Sequence, residues 1–140
     1  MDERKMAGHL IRRLHQQSMQ VFQAQTQAAG FDLTSVQFAA LNALARDPGI
    51  DQASLAATIG FDRATIGGVI DRLERKGLVQ REVSAQDRRA RQLTLTAEGE
   101  SMLTACRPVV KALQTDILAL LSPAEREAFM ALAKKALGLA

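Results

Sequence analysis

The chain has 140 residues, 47% of them hydrophobic and 24% charged, a formal net charge of +3, one Cys, five Phe and neither Trp nor Tyr. That length accommodates one compact domain or two small ones sharing a core, and it excludes a large multidomain enzyme. The balance of apolar and charged residues argues against a disordered or collagen-like chain, a lone Cys cannot form an intramolecular disulfide, and no Cys/His spacing suits zinc.

The N-terminus, MDERKMAGHLIRRLHQQ, builds no apolar run of signal-peptide length, and nowhere do 18 apolar residues follow one another. A soluble cytoplasmic protein with no membrane contact is the expectation. From about Glu3 to Ala29, Leu10, Ile11, Leu14, Val21 and Phe22 recur near helical spacing, which predicts one long amphipathic helix ending at Gly30. Thr34 to Gln37 is a capping box: the Thr oxygen can accept from the third helical amide while the Gln side chain reaches back. A second helix through Phe38, Leu41 and Leu44 then runs to about Arg46, before Asp47-Pro48-Gly49 breaks the chain.

Asp51 can cap a short helix through Leu55 and Ile59, closed by Gly60, and Asp62 can cap a further helix running to Gly77. In the latter, Ile66, Val69, Ile70 and Leu73 form one buried stripe, leaving Arg63, Thr65, Gly67, Gly68 and Arg72 to solvent or a partner. After Gly77 the period changes. Leu78 to Val83 and Arg91 to Leu95 read as two strands flanking a charged connection, Ser84 to Ala90.

Thr96 caps a long helix with Glu98 in its first turn, and Pro108 about three turns in is expected to kink it. Ser122-Pro123-Ala124-Glu125 opens a final helix with cap, N-terminal Pro and capping-box Glu all in place. The prediction is a mainly α fold with a small β-hairpin, divided as 1–33, 34–96 and 97–140.

The charge has a location. Between Asp62 and Arg91 stand eight basic and five acidic residues, while the rest of the chain carries ten of each, so the whole excess lies in that window. Two short helices in tight succession followed by a basic hairpin form a winged helix-turn-helix. Its second helix is sized for the DNA major groove, and a hairpin bearing Arg88, Arg89 and Arg91 suits the minor groove or the phosphates. Arg63 and Thr65 lie where that helix would enter the groove, Arg72 is placed to reach a phosphate, and Gln52 and Ser54 on the preceding helix are candidate phosphate contacts. Two glycines inside the helix, Gly67 and Gly68, disfavour it, so they serve either close approach to DNA or packing against another helix.

The stretch DRATIGGVIDRLERKG (62–77), then LVQRE, then DRRARQLTLTAEG (87–99) resembles the MarR family of bacterial transcriptional regulators. The D-x-R of the wing followed by L-T-x-x-G carries the likeness, which extends along nearly the whole chain. It implies a homodimer whose terminal helices, 1–33 and 97–140, interlock for dimerisation, with 34–96 as the winged helix-turn-helix DNA-binding domain and two winged lobes on a palindromic operator. It also places Arg89 at the DNA-contacting wing position, with Asp87 to hold the hairpin tip. The apolar surface of the terminal helices points independently to a dimer. In this family the first helix borders an effector pocket. Carried over, that makes His9, Arg12 and Arg13 candidates to receive an aromatic carboxylate or its thioester, with Leu33, Phe38 and Leu41 as the apolar wall.

Enzyme chemistry finds little material: the two His are six apart on one helix, with no H-E-x-x-H, no G-x-S-x-G and no phosphate-cradling loop. No cofactor or metal is implied, and Cys106, inside a helix, reads as a packed thiol. The sequence therefore predicts a ligand-responsive repressor; the alternative is an architectural DNA-binding protein that answers to no ligand.

Overall fold

A computed structural model describes residues 1–83 and 91–139, with the backbone alone at Arg91. Its elements are α1 (Ala7–Ala28), α2 (Ser35–Arg46), α3 (Gln52–Ile59), α4 (Ile66–Arg75), β1 (Val79–Val83), β2 (Arg91–Leu95), α5 (Ala97–Ile117) and α6 (Pro123–Ala136). The mainly α architecture with one small hairpin is the one the periodicities predict.

The helix starts follow the local chemistry closely. Thr34 and Ser122 each complete a capping box, Asp51 accepts from the Ser54 amide, and Thr96 accepts from the Gly99 amide. Gly60 closes α3 in the left-handed conformation at φ 67°, as the C-terminal glycine of a short helix should.

Two expectations are corrected. The first helix begins at Ala7, not Glu3, because the Asp2 side chain caps a separate 3₁₀ turn (Glu3–Lys5) and Met6 is extended. The helix expected to begin directly after Asp62 starts three residues later, at Ile66. The Asp62 carboxylate accepts from the Ala64 amide and its carbonyl from Thr65 and Ile66, so residues 63–65 form a turn leading into α4. As expected, Pro108 lies inside α5, which continues past it to Ile117. Both Pro108 and Thr104, whose carbonyl loses its helical donor, are exposed, so water can satisfy the orphaned oxygen.

The core joins every part of the central unit. Leu41 and Leu44 of α2, Leu55 of α3, Ile66, Ile70 and Leu73 of α4, Leu93 of β2 and Leu103 and Leu113 of α5 have essentially no exposure. The hairpin pairs Val79 with Leu95 and Val83 with Arg91. On its other edge β2 is joined by the chain after the Asp47-Pro48-Gly49 break: the Gly49 amide donates to the Leu93 carbonyl and the Leu93 amide to that of Ile50, at 2.9 and 3.1 Å. This added edge anchors the wing to the start of α3.

The terminal helices are packed differently. α1 lies along α5, fastened by Gln17 to the Ile117 carbonyl and by Gln25 to Asp116, each at 2.7 Å. α6 has no buried residue, and Leu132, Leu137 and Leu139 are 65%, 72% and 73% exposed. Ile11 on α1 is similarly uncovered at 65%. No described helix is long and apolar enough to cross a membrane.

Candidate nucleic-acid interface

The outward face of α4 is set by its inward one. Ile66, Ile70 and Leu73 are fully buried, so the opposite side carries Gly68, Asp71, Arg72 and Arg75, all exposed, with Arg63 and Thr65 exposed in the preceding turn. Arg63 and Arg72 make no ion pair with any described residue. Thr65 donates its hydroxyl to the Asp62 carbonyl at 3.2 Å, which steadies the turn.

The two glycines differ. A Cβ on Gly67 would lie 3.2 Å from the side-chain Nε2 of Gln52, whereas one on Gly68 would meet no atom of the described residues within 4 Å beyond its own helix backbone. Gly67 thus leaves room for the tip of the Gln52 side chain, while Gly68 faces outward from the described residues.

Sequence reasoning passed over Arg81, which organises this surface. Its side chain, 16% exposed, donates from the guanidinium to Asp71 at 2.7 Å, to Glu74 at 3.5 Å and to the side-chain Oε1 of Gln52 at 3.4 Å. One side chain on β1 thereby ties α3 to α4. On its strand Arg81 shares the inward face of the buried Val79, and Asp71 and Glu74 are three apart on α4; that pattern was present in the sequence. Gln52 is consequently held by Arg81 and against Gly67.

Ser54 is also engaged, its amide and hydroxyl both donating to Asp51, at 2.8 and 2.9 Å. These bonds, the amide first, hold the Asp51 carboxyl below its ordinary value of 3.8. A phosphate at Ser54 would have to displace that carboxylate. At the wing, Asp87, Arg88 and Arg89 lie outside the described residues, and Arg91 is placed on β2 by its backbone.

The effector candidates fall into two adjoining sets. His9, Arg12 and Arg13 line an open groove of about 700 Å³ along α1. Leu33 lines a smaller cavity of about 120 Å³ between α1 and the loop before α2, where Phe22 and Phe31 supply aromatic walls. Met19 and Gln23 line both, so the groove and the cavity are neighbours. Phe38 packs behind the cavity on Phe22, with ring centroids 6.2 Å apart, and Leu41 is wholly within the core. The described residues therefore do not bring Leu41 to the same surface as His9 and Arg13. Cys106 is buried and desolvation raises its thiol pKa. Among the described residues no three His, Cys, Asp or Glu side chains gather as a metal site.

A short helix, a tight glycine turn, a second helix presenting arginines and a hairpin braced against both define a winged helix-turn-helix DNA-binding regulator. The MarR family model matches residues 31–90. The chain is 39% identical over 132 residues to the transcriptional regulator HosA of Escherichia coli, across 94% of this chain and 95% of that protein. Among solved structures it resembles the Streptomyces coelicolor transcriptional regulator PcaV in complex with its natural ligand, at 33% identity and a TM-score of 0.87, over 99% and 96% of the two chains. It is equally similar in fold to Bordetella bronchiseptica BpsR, whose DNA binding is regulated by 6-hydroxynicotinic acid, at 30% identity and a TM-score of 0.87, over 96% and 95%. The chain belongs to the MarR family of transcriptional regulators.

Proposed function

We propose that the protein is a homodimeric repressor that binds a palindromic operator and releases it when a small aromatic acid, or an aryl thioester, occupies the α1 groove. The observation that carries this reading is the presence of two candidate surfaces on one chain. The outward face of α4 offers Arg63 and Arg72 to DNA, while the cavity beside Leu33 and the groove with His9, Arg12 and Arg13 adjoin at Met19 and Gln23.

Dimerisation is supported by the apolar residues left uncovered on α1 and α6, which a second copy would bury. Two-fold symmetry would then place the α4 helices about 34 Å apart, one turn of DNA, so that both meet the same side of the duplex. In the wing, Arg89 is assigned the minor-groove contact, Arg88 and Arg91 the neighbouring phosphates, and Asp87 the support of Arg89. Gln52 and Ser54 are assigned supporting roles at the phosphate backbone through the helix they begin.

An effector can act only if it favours one lobe geometry over the other, since equal affinity for both shifts no population. The relation to BpsR supports an aromatic acid, and the cationic groove suits a carboxylate. The test is titration of a preformed protein–operator complex with a panel of aromatic acids and their thioesters. Dissociation at a saturable concentration of one class is expected; an operator complex indifferent to the whole panel would leave the architectural reading. Arg89→Ala should weaken DNA binding and leave the dimer intact.

A further inference from the structure

Gly68 occupies the middle of the outward face of α4. It follows Ile66 by two residues, or about 200° around the helix, and so stands almost opposite the stripe of Ile66, Ile70 and Leu73. Glycine disfavours a helix because its backbone has the most freedom to lose. Gly67 has a local reason to be glycine, since a Cβ there would crowd Gln52. Gly68 has none among the described residues: beyond its own helix backbone a Cβ would meet none of their atoms within 4 Å, and its backbone is ordinary right-handed helix that any residue adopts. The fold tolerates a side chain at this position, and the surface it faces is the one flanked by Thr65 on one turn and Arg72 on the next.

Resting on the reading of α4 as the DNA-reading helix, we infer that Gly68 is a specificity-determining position whose missing side chain is required by the DNA. The bare backbone at Gly68 lets α4 sit deeper in the major groove than a helix with a side chain there. Base edges beneath it are then selected by close steric fit, including contact with thymine methyl groups, while Arg63 and Arg72 supply charge at the edges of the contact. A Cβ at position 68 would be the first atom to strike the groove floor.

The test compares wild type, Gly68→Ala and Gly68→Ser on two duplexes: one enriched by the wild-type protein from a randomised pool, and one of scrambled sequence. Thermal unfolding is measured beside the affinities. Gly68→Ala should unfold at a higher temperature than wild type, yet bind the enriched duplex about tenfold more weakly, the scale of one lost base contact. Binding to the scrambled duplex, which rests on phosphate contacts, should stay within about twofold. Gly68→Ser should lose at least as much on the enriched duplex as Gly68→Ala.

Unchanged affinity of Gly68→Ala for the enriched duplex would overturn the inference and leave the regulator reading standing. Equal losses on both duplexes, a lower unfolding temperature or loss of the dimer would overturn it as well, by moving the role of Gly68 to phosphates or to folding. Failure of the wild-type protein to enrich any sequence would overturn the reading itself, and the inference with it.

Discussion

The ammonium group of Lys76 lies 2.7 Å from the carbonyl oxygen of Asp32 and 3.5 Å from its carboxylate, so the end of α4 is fastened to the loop between α1 and α2. The same group donates to the Gln37 side chain at 3.3 Å, which also closes the capping box of α2. Asp32 in turn lines the small cavity beside Leu33, placing this tie between the candidate effector surface and α4.

Removing that tie with Lys76→Met keeps the aliphatic stem and deletes the three contacts. The ion pair is solvent-screened, because the Asp32 side chain is fully exposed; the loss should therefore be about 1 kcal/mol, most of it from the bonds to the two oxygen acceptors. Urea unfolding would measure it. A second readout is the effector response: the variant should retain ligand binding by calorimetry while coupling it more weakly to DNA release.

Gly99 begins α5 with its Cα pressed against the backbone of Leu78, so that a Cβ would collide with the Leu78 carbonyl oxygen. That oxygen already accepts from the Thr96 amide, and the Thr96 hydroxyl donates to the Gly77 carbonyl at 2.6 Å, which leaves the backbone little room to yield. Gly99→Ala should destabilise the fold by about 2 kcal/mol, as overpacking against backbone does. Chemical denaturation checks this, with an unchanged midpoint as the contrary result. The L-T-x-x-G signature is accordingly a packing device at the junction of α4, the hairpin and α5.

The Asp51 carboxyl has its pKa lowered by the Ser54 amide and then by the Ser54 hydroxyl. A group with a lowered folded pKa contributes stability that is present above its unfolded value and lost as pH falls through the folded one. Asp51→Ala should therefore be less stable than wild type at neutral pH, by about the 1 kcal/mol typical of a helix cap. The gap should close as pH falls below the ordinary carboxyl value of 3.8. Paired unfolding curves at neutral and acid pH would show it.

Cys106 has no exposed surface, and burial raises its thiol above the ordinary value, so little reactive thiolate forms at neutral pH. The native protein should react with a disulfide reagent only at the rate of unfolding, and fully in denaturant. Rapid stoichiometric reaction in buffer would contradict the packing described for α5.

The parts of this molecule that were legible in sequence are those governed by nearest neighbours along the chain. Thr34, Asp51, Thr96 and Ser122 each cap a helix through an amide three residues on, and those contacts need no tertiary information. Asp62 shows where such reasoning loses force: an Asp can cap a helix or hold a turn, and here its carboxylate takes the Ala64 amide and delays α4 to Ile66. Arg81, Gln52 and Gly67 meet across three elements, so their shared geometry depends on how α3, α4 and β1 pack. The strip from Gly49 to Asp51 that extends the sheet carries no alternating pattern, since its pairing is imposed by Leu93. The effector set was the least legible, because His9 and Leu33 lie on different stretches of surface linked only through Met19 and Gln23.

In the proposed assembly, two copies of this chain present α4 and the wing to one side of a symmetric DNA site. Footprinting of the DNA upstream of the gene is the decisive experiment. The predicted result is a single protected region with two-fold symmetric halves whose centres are separated by about one helical turn, weakening steeply as salt rises. Protection spread evenly along the DNA, or a single asymmetric half-site bound by a monomer, would contradict it.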